Sequence, residues 1–216
     1  MPQSPQNQSA GRDEILRAAT DLFAESGFDA VSMNSIAMRA GTSKANVFHH
    51  FGNKDALYLA VMRDACARFE TSIDAFEGAG HDFAQRLSDF VRADLAAMAA
   101  QSDHSHLILR EILDSGPRRG QALATEVFDE AFGRIVGVLE QGQADGEITD
   151  DVPPALAASM LIACNVFMFQ SQHVLKYLPG VDFVDDPERY AAFVGRVLFD
   201  GLRPREPGRD GEGGNE

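Results

Sequence analysis

The stretch TSKANVFHH, residues 42–50, sets a lysine, an asparagine and two histidines beside two hydroxyl side chains. Groups of this kind suit contact with nucleic acid. An Asn amide can pair with an adenine edge, a Lys ammonium reaches guanine or phosphate, and the methyl of Ala or Thr can touch a thymine methyl. Thr42, Ser43, Lys44, Ala45, Asn46 and His49 supply these groups. Other chemistries find less support. His49 and His50 are adjacent, and adjacent helical residues point apart, so they make no metal pair. His104 and His106 stand two residues apart near an expected helix start, where solvated or capping roles fit better than ligation. The Gly-x-Ser-x-Gly and His-Glu-x-x-His patterns are missing, and no phosphate-binding glycine loop or Ser-His-Asp order stands out. The expectation is a protein that is not an enzyme, with no catalytic residues, no metal and no cofactor.

The elements around that stretch explain its spacing. Ile15, Ala18, Ala19, Leu22 and Phe23 fall on one face of a helix that Gly27 stops. Ser32 suits the cap of a short second helix through Ile36 and Ala40, ended by Gly41; Ser43 suits the cap of a third, carrying Val47 and Phe51. Ile36, Ala37 and Ala40 would face Val47 and Phe51, which are core residues. The third helix is then held across the second, with its outward side chains free to enter a major groove. This is the pattern of a helix-turn-helix.

Residues 32–61, SMNSIAMRAGTSKANVFHHFGNKDALYLAV, closely resemble the DNA-binding domain of the TetR family of regulators. The resemblance rests on Ile36-Ala37, Ala40-Gly41, Ser43-Lys44, Phe51 and Lys54-Asp55-Ala56-Leu57. The upstream ILRAATDLFAESGFDAVSM resembles the family's first helix, so about residues 12–62 are covered. The resemblance implies DNA contacts at Ser32, Asn34, Thr42, Ser43, Lys44, Ala45, Asn46, Phe48, His49, His50 and Lys54. Among these, Ser32 would cap the second helix and touch phosphate, and His50 and Lys54 would hold the phosphate backbone. Phe48 stands where the family often has Tyr, and it brings no hydroxyl to a phosphate. The partners implied are double-stranded operator DNA, a second copy of the chain and a small-molecule effector. The expected activity is that of a ligand-responsive regulator, a repressor released from a palindromic operator.

The rest of the chain reads as helical throughout. A long fourth helix is expected from Asn53 through Leu57, Val61, Ala65, Phe69, Ile73 and Phe76. Further helices follow over about 82–101, 103–114, 117–144, 151–175 and 187–201, about nine in all, and no convincing strand. The fold class expected is all-α: an arm at 1–10, a helix-turn-helix domain at 11–55, a ligand-binding and dimerisation domain at 56–202, and a tail at 203–216. The arm and tail are polar or Pro/Gly-rich and are expected to be disordered. Phe69, Phe90, Met98, Leu109, Phe128 and Phe132, with His173, are the candidates to line a cavity for an apolar or aromatic effector.

The segment at 152–175 has no charged residue and apolar stripes on two sides, so it must pack on both. The family resemblance favours a dimer interface there, built by Ile162, Val166 and Phe169 against Phe193, Val194 and Val197. Its unbroken apolar runs fall far short of the roughly 20 residues a bilayer demands, so no membrane partner is expected.

Charge is unevenly spread. The net charge is −14, yet residues 1–60 carry five basic and six acidic side chains, so the acidity belongs to the second part. Phosphate would therefore meet a near-neutral head, and the global field should weaken non-specific binding. Residues 1–10 have no apolar run of a signal peptide. Cys66 and Cys164 show no metal or redox spacing and read as apolar thiols in a reducing cytoplasm.

Overall fold

A computed structural model describes residues 5–67, 69–78, 80–100 and 102–204, and side chains throughout these except at 5–10, 103 and 114. Among the described residues the chain is all-α, with no strand. It forms α1 (Pro5–Ala30), α2 (Met33–Arg39), α3 (Lys44–Phe51), α4 (Lys54–Ala67), α5 (Glu70–Glu77), α6 (Phe83–Ala100), α7 (Ser102–Asp114), α8 (Pro117–Leu123), a π-helical turn (Ala124–Phe128), α9 (Asp129–Ala144), α10 (Pro154–Leu175) and α11 (Pro187–Leu202).

Eleven helices stand where about nine were expected, and two differences account for the excess. The expected fourth helix is broken at Phe69, in a turn where Phe69 N–H donates to the Cys66 carbonyl at 2.9 Å. Its apolar positions recur every four residues, and each such step overshoots a 3.6-residue turn by about 40°. A straight helix would carry the stripe from one side to the other; the break resets it. The expected helix over 117–144 is interrupted by the π turn. There Arg63 Nε donates to the Glu126 carbonyl at 2.9 Å and its Nη2 reaches Glu126 Oε2 at 2.8 Å. The guanidinium thus takes up a carbonyl of the irregular turn. At the N-terminus, Pro5–Ala10 belongs to α1 and not to a disordered arm. Residues 1–4 and most of the expected tail, 205–216, lie outside the described residues.

The compact units interleave in sequence and do not divide at residue 55. The first draws on residues 1–70 and 98–130. Its core gathers Ile15, Ala19 and Phe23 of α1, Ile36 and Ala37 of α2, Val47 and Phe51 of α3, Leu57, Tyr58, Val61 and Met62 of α4, Leu107 and Ile108 of α7, and Leu123 of α8. The second draws on residues 71–97 and 131–216. Its core gathers Ile73 and Phe76, Phe83, Leu87, Phe90 and Val91, Ile135 and Leu139, Ala158, Leu161 and Met168, and Ala191 and Val194.

Close backbone approach holds the second unit at two points. A Cβ on Gly195 of α11 would lie 2.2 Å from Ser88 Oγ and 3.0 Å from Ser88 Cα. A Cβ on Gly142 of α9 would lie 2.5 Å from the Phe83 ring. α10, at 22 residues, is long and apolar enough by composition to cross a bilayer, a test that core helices of water-soluble proteins also pass.

Candidate nucleic-acid interface

The turn between α2 and α3 is built by backbone bonds and one glycine. Ala40 N–H closes on the Ile36 carbonyl at 2.9 Å, and Thr42 N–H reaches back to the Ala37 carbonyl at 2.9 Å. Between them Gly41 has φ 63°, the left-handed region where a side chain is strained. Both helices are capped from within the motif. Ser32 Oγ accepts from Ser35 N–H at 3.0 Å while Ser35 Oγ accepts from Ser32 N–H at 3.0 Å, a capping box with Ser in the place of the usual Glu or Gln. Ser43 Oγ accepts from Asn46 N–H at 3.1 Å and opens α3.

This frame turns one face of α3 outward. Val47 and Phe51 are buried, as expected, whereas Ser43, Lys44, Ala45, Phe48 and His49 are exposed. Thr42, Asn46 and His50 are half-buried, and Ser32 and Asn34 are exposed at the start of α2. The Asn46 amide donates to Thr42 Oγ1 at 3.0 Å, which presets its orientation; pairing with a base edge must share or exchange that bond. Lys44 Nζ lies 5.8 Å from the Phe48 ring centroid. Lys54 is half-buried, its ammonium 4.2 Å from the Phe28 ring centroid, so it is held as a cation–π partner rather than extended.

A polar framework behind this face escaped the sequence reading. Gly27, at φ 79°, interrupts the regular backbone of α1. Arg110 of α7 binds the turn before it, donating to the Phe23 carbonyl and, at 3.1 Å, to the Ala24 carbonyl. Tyr58 of α4 donates to Glu111 Oε2 at 2.7 Å, and Arg119 Nε of α8 donates to Glu111 Oε1 at 2.8 Å. Glu111 is almost fully buried, so these bonds answer the cost of removing a carboxylate from water. Burial first, then the Glu111 hydrogen bond and charge, push the Tyr58 phenol far above its ordinary range. The detectable signal was an acid on an apolar stripe: Glu111 stands four residues after Leu107 and three after Ile108.

Residues 15–61 match the model of the bacterial regulatory proteins of the tetR family. The HTH-type transcriptional regulator RutR of Escherichia coli is 28% identical over 210 residues, covering 91% of this chain and 92% of its own. The matched residues carry the helix-turn-helix, which is thus a DNA-binding domain of the tetR family type. The HTH-type transcriptional repressor NicS of Pseudomonas putida is 26% identical over 196 residues, covering 89% of this chain and 92% of its own. The fold matches that of a TetR family transcription regulator from Marinobacter aquaeolei at TM-score 0.70 and 18% identity, covering 94% of this chain and all of that one. With this domain the chain is a DNA-binding transcriptional regulator, and the relatives it resembles are transcriptional regulators.

The candidate effector residues fall in both units. Phe69, Met98, Leu109 and Phe128 fall in the first unit, Phe90, Phe132 and His173 in the second, and His173 is exposed. A half-open cavity of about 610 Å³ lies within the first unit, lined by none of them. Its walls include Phe28, Asp55, Tyr58, Arg118, Arg119 and Glu126, with the Arg119 guanidinium 4.8 Å over the Phe28 ring. Among the described residues no three His, Cys, Asp or Glu side chains gather as metal ligands would.

The candidate interface residues all fall in the second unit and divide by exposure. Phe193 and Val197 of α11 are 56% and 50% exposed, and Ile162 and Val166 of α10 are half-buried. Phe169 and Val194, however, are buried within the protomer and have little surface to offer a second chain. The exposed apolar side chains of α10 are Leu156, Met160, Phe167 and Val174, missed because two stripes of one helix cannot be ranked without knowing which faces the core.

Proposed function

We propose that this chain is a homodimeric, ligand-responsive repressor of the tetR family in the cytoplasm, released from a palindromic operator by a small apolar or aromatic effector. The observation that carries the reading is the outward face of α3: Ser43 caps the helix, and Lys44, Ala45 and His49 stand exposed beside a preset Asn46. In this reading the first turn of α3 enters the major groove. Lys44 and Asn46 reach base edges, and Ser32, Asn34, Thr42, Ser43, Ala45, Phe48, His49, His50 and Lys54 complete the contact with backbone and bases. Lys54 must leave the Phe28 ring to do so, a cost of about 1 kcal/mol for an exposed cation–π pair.

The dimer in this reading forms through α10 and α11, where Leu156, Met160, Phe167, Phe193 and Val197 leave large apolar side chains in solvent. Several such residues on two neighbouring helices of one unit make a patch that favours a partner. A dimer carries two recognition helices and asks for two half-sites related by symmetry. The second unit is the effector-binding part. An effector that binds the non-DNA state more tightly lowers operator affinity by the same coupling, typically about 1–3 kcal/mol.

Selection of bound duplexes from a random DNA library tests the reading. The expected product is an inverted repeat, bound by two chains per duplex in light scattering. Recovery of no enriched sequence, or of one bound by a single chain, would overturn the operator assignment.

A further inference from the structure

Three helices of the second unit bring polar side chains into its apolar core. Ser72 stands on α5 beside Ile73 and Phe76, Asp94 on α6 between Phe90, Val91 and Leu95, and Asn165 on α10 between Leu161 and Met168. All three are buried: Ser72 is 1% exposed, Asp94 6% and Asn165 0%. Asn165 Nδ2 donates to Asp94 Oδ2 at 2.8 Å and to the Val91 carbonyl at 3.3 Å. Ser72 Oγ reaches Asp94 Oδ1 at 3.5 Å, a long contact.

These bonds leave an imbalance of one sign. Nδ2 faces two acceptors, so the amide cannot be turned over without setting its oxygen against the carboxylate. Asn165 Oδ1 then accepts nothing from any described residue, although it is fully buried. Asp94 offers about four lone-pair sites and receives one good hydrogen bond and one poor one. No Lys, Arg or His among the described residues pairs with it. Among the described residues the cluster thus holds unused acceptors, one carrying formal charge, and no unused donor. Burying a carboxylate without a cation and an amide oxygen without a donor is costly, and native cores rarely retain either without a reason.

We propose that Asp94 and Asn165, backed by Ser72, are the polar anchor of the effector site, and that the effector is a small organic cation whose nitrogen carries at least two N–H groups. One N–H bonds to the Asp94 carboxylate and another to Asn165 Oδ1, while the apolar body packs among core side chains of α5, α6 and α10. An anionic effector is excluded at this point, since it would add acceptors and negative charge where donors and a cation are needed. Such sites combine an apolar lining with a few convergent polar groups that set orientation. This rests on the reading of the second unit as the effector-binding part, and it narrows that effector from apolar or aromatic to apolar and cationic.

The test uses full-length protein with matched probes at pH 7.5: benzylamine and benzamidine as cations, benzyl alcohol and benzoate as their neutral and anionic counterparts. Titration calorimetry and thermal unfolding are read on the wild type and on Asp94→Asn, which keeps the size of the side chain and one oxygen to accept from Asn165 but removes the charge and replaces an acceptor with a donor. At least one cation is expected to bind saturably and raise the melting temperature. Its counterparts are expected to bind at least tenfold more weakly, and Asp94→Asn, still folded, to lose at least tenfold in affinity for the cation. The proposal is overturned by probes that bind equally whatever their charge, by an unchanged affinity in Asp94→Asn, or by binding of none of the four. An ordered water donating to Asn165 Oδ1 in crystals soaked with either cation would also overturn it. Operator gel shifts with the saturating cation give a separate answer. Unchanged operator affinity leaves the site standing and removes its role as an effector switch.

Discussion

The Tyr58 hydroxyl donates to Glu111 Oε2 at 2.7 Å, and Arg119 holds the other oxygen of the same carboxylate at 2.8 Å. One acid therefore ties α4, which follows α3 in sequence, to α7 and α8. Tyr58→Phe should lower stability by about 1.5–3 kcal/mol, the range for a hydrogen bond to a charged group. Arg119→Met should cost about 3 kcal/mol because it strands the buried carboxylate. Urea unfolding measures both, and a Tyr58→Phe protein as stable as the wild type would show that the bond contributes nothing.

Asp94 adds a pH dependence of defined sign. Burial raises its carboxyl from 3.8 to about 6, against smaller lowering by the Asn165 and Ser72 hydrogen bonds. Between those values the unfolded chain has released this proton and the folded chain still holds it, so unfolding releases the proton and stability falls as pH rises. The loss, roughly 2–3 kcal/mol for a shift of about two units, is complete above pH 6 and absent below pH 4. Asp94→Asn should therefore be the more stable protein at pH 7, with the difference closing by pH 4. Chemical denaturation at the two pH values checks this, and a difference independent of pH would assign the effect to packing.

Lys44→Ala should weaken operator binding and reduce the slope of log affinity against log salt by about one if Lys44 meets phosphate. If it reads a base edge, the slope stays and selectivity relaxes at one position. His50→Ala should weaken binding without changing circular dichroism. Gel shifts across a salt series separate these outcomes, and unchanged affinity in both variants would remove α3 from the interface.

Phe167, 65% exposed on α10, is the side chain to charge in a test of assembly, since Phe169 is buried in the protomer. Phe167→Glu should keep the melting transition and shift the dimer to monomer in light scattering. A wild type that is monomeric at micromolar concentration removes the proposed interface.

Gly195→Ala should destabilise by about 1–3 kcal/mol, because its Cβ would meet the backbone of Ser88, which cannot rotate away. Gly133→Ala on α9 meets open space, and there the same change should stabilise by up to about 1 kcal/mol. Opposite signs in thermal unfolding are the expected result.

The sequence by itself determined the all-α class, the helix-turn-helix and its caps. Ser32, Gly41 and Ser43 act on backbone groups within a few residues of themselves, and Ile36, Val47 and Phe51 follow a helical period. Such short-range terms are written along the chain. Tertiary structure decided what depends on which surfaces meet. It split the expected fourth helix at Phe69, where the four-residue spacing from Leu57 to Ile73 concealed a rotating stripe. It buried Phe169 and exposed Phe167, a choice that two neighbouring apolar residues on one helix leave open. It also gave Glu111 a tyrosine and an arginine, whereas among the described residues Asp94 meets no cation. Both acids sit on apolar stripes and look alike in sequence. The partners that distinguish them come from other helices, brought close only by packing.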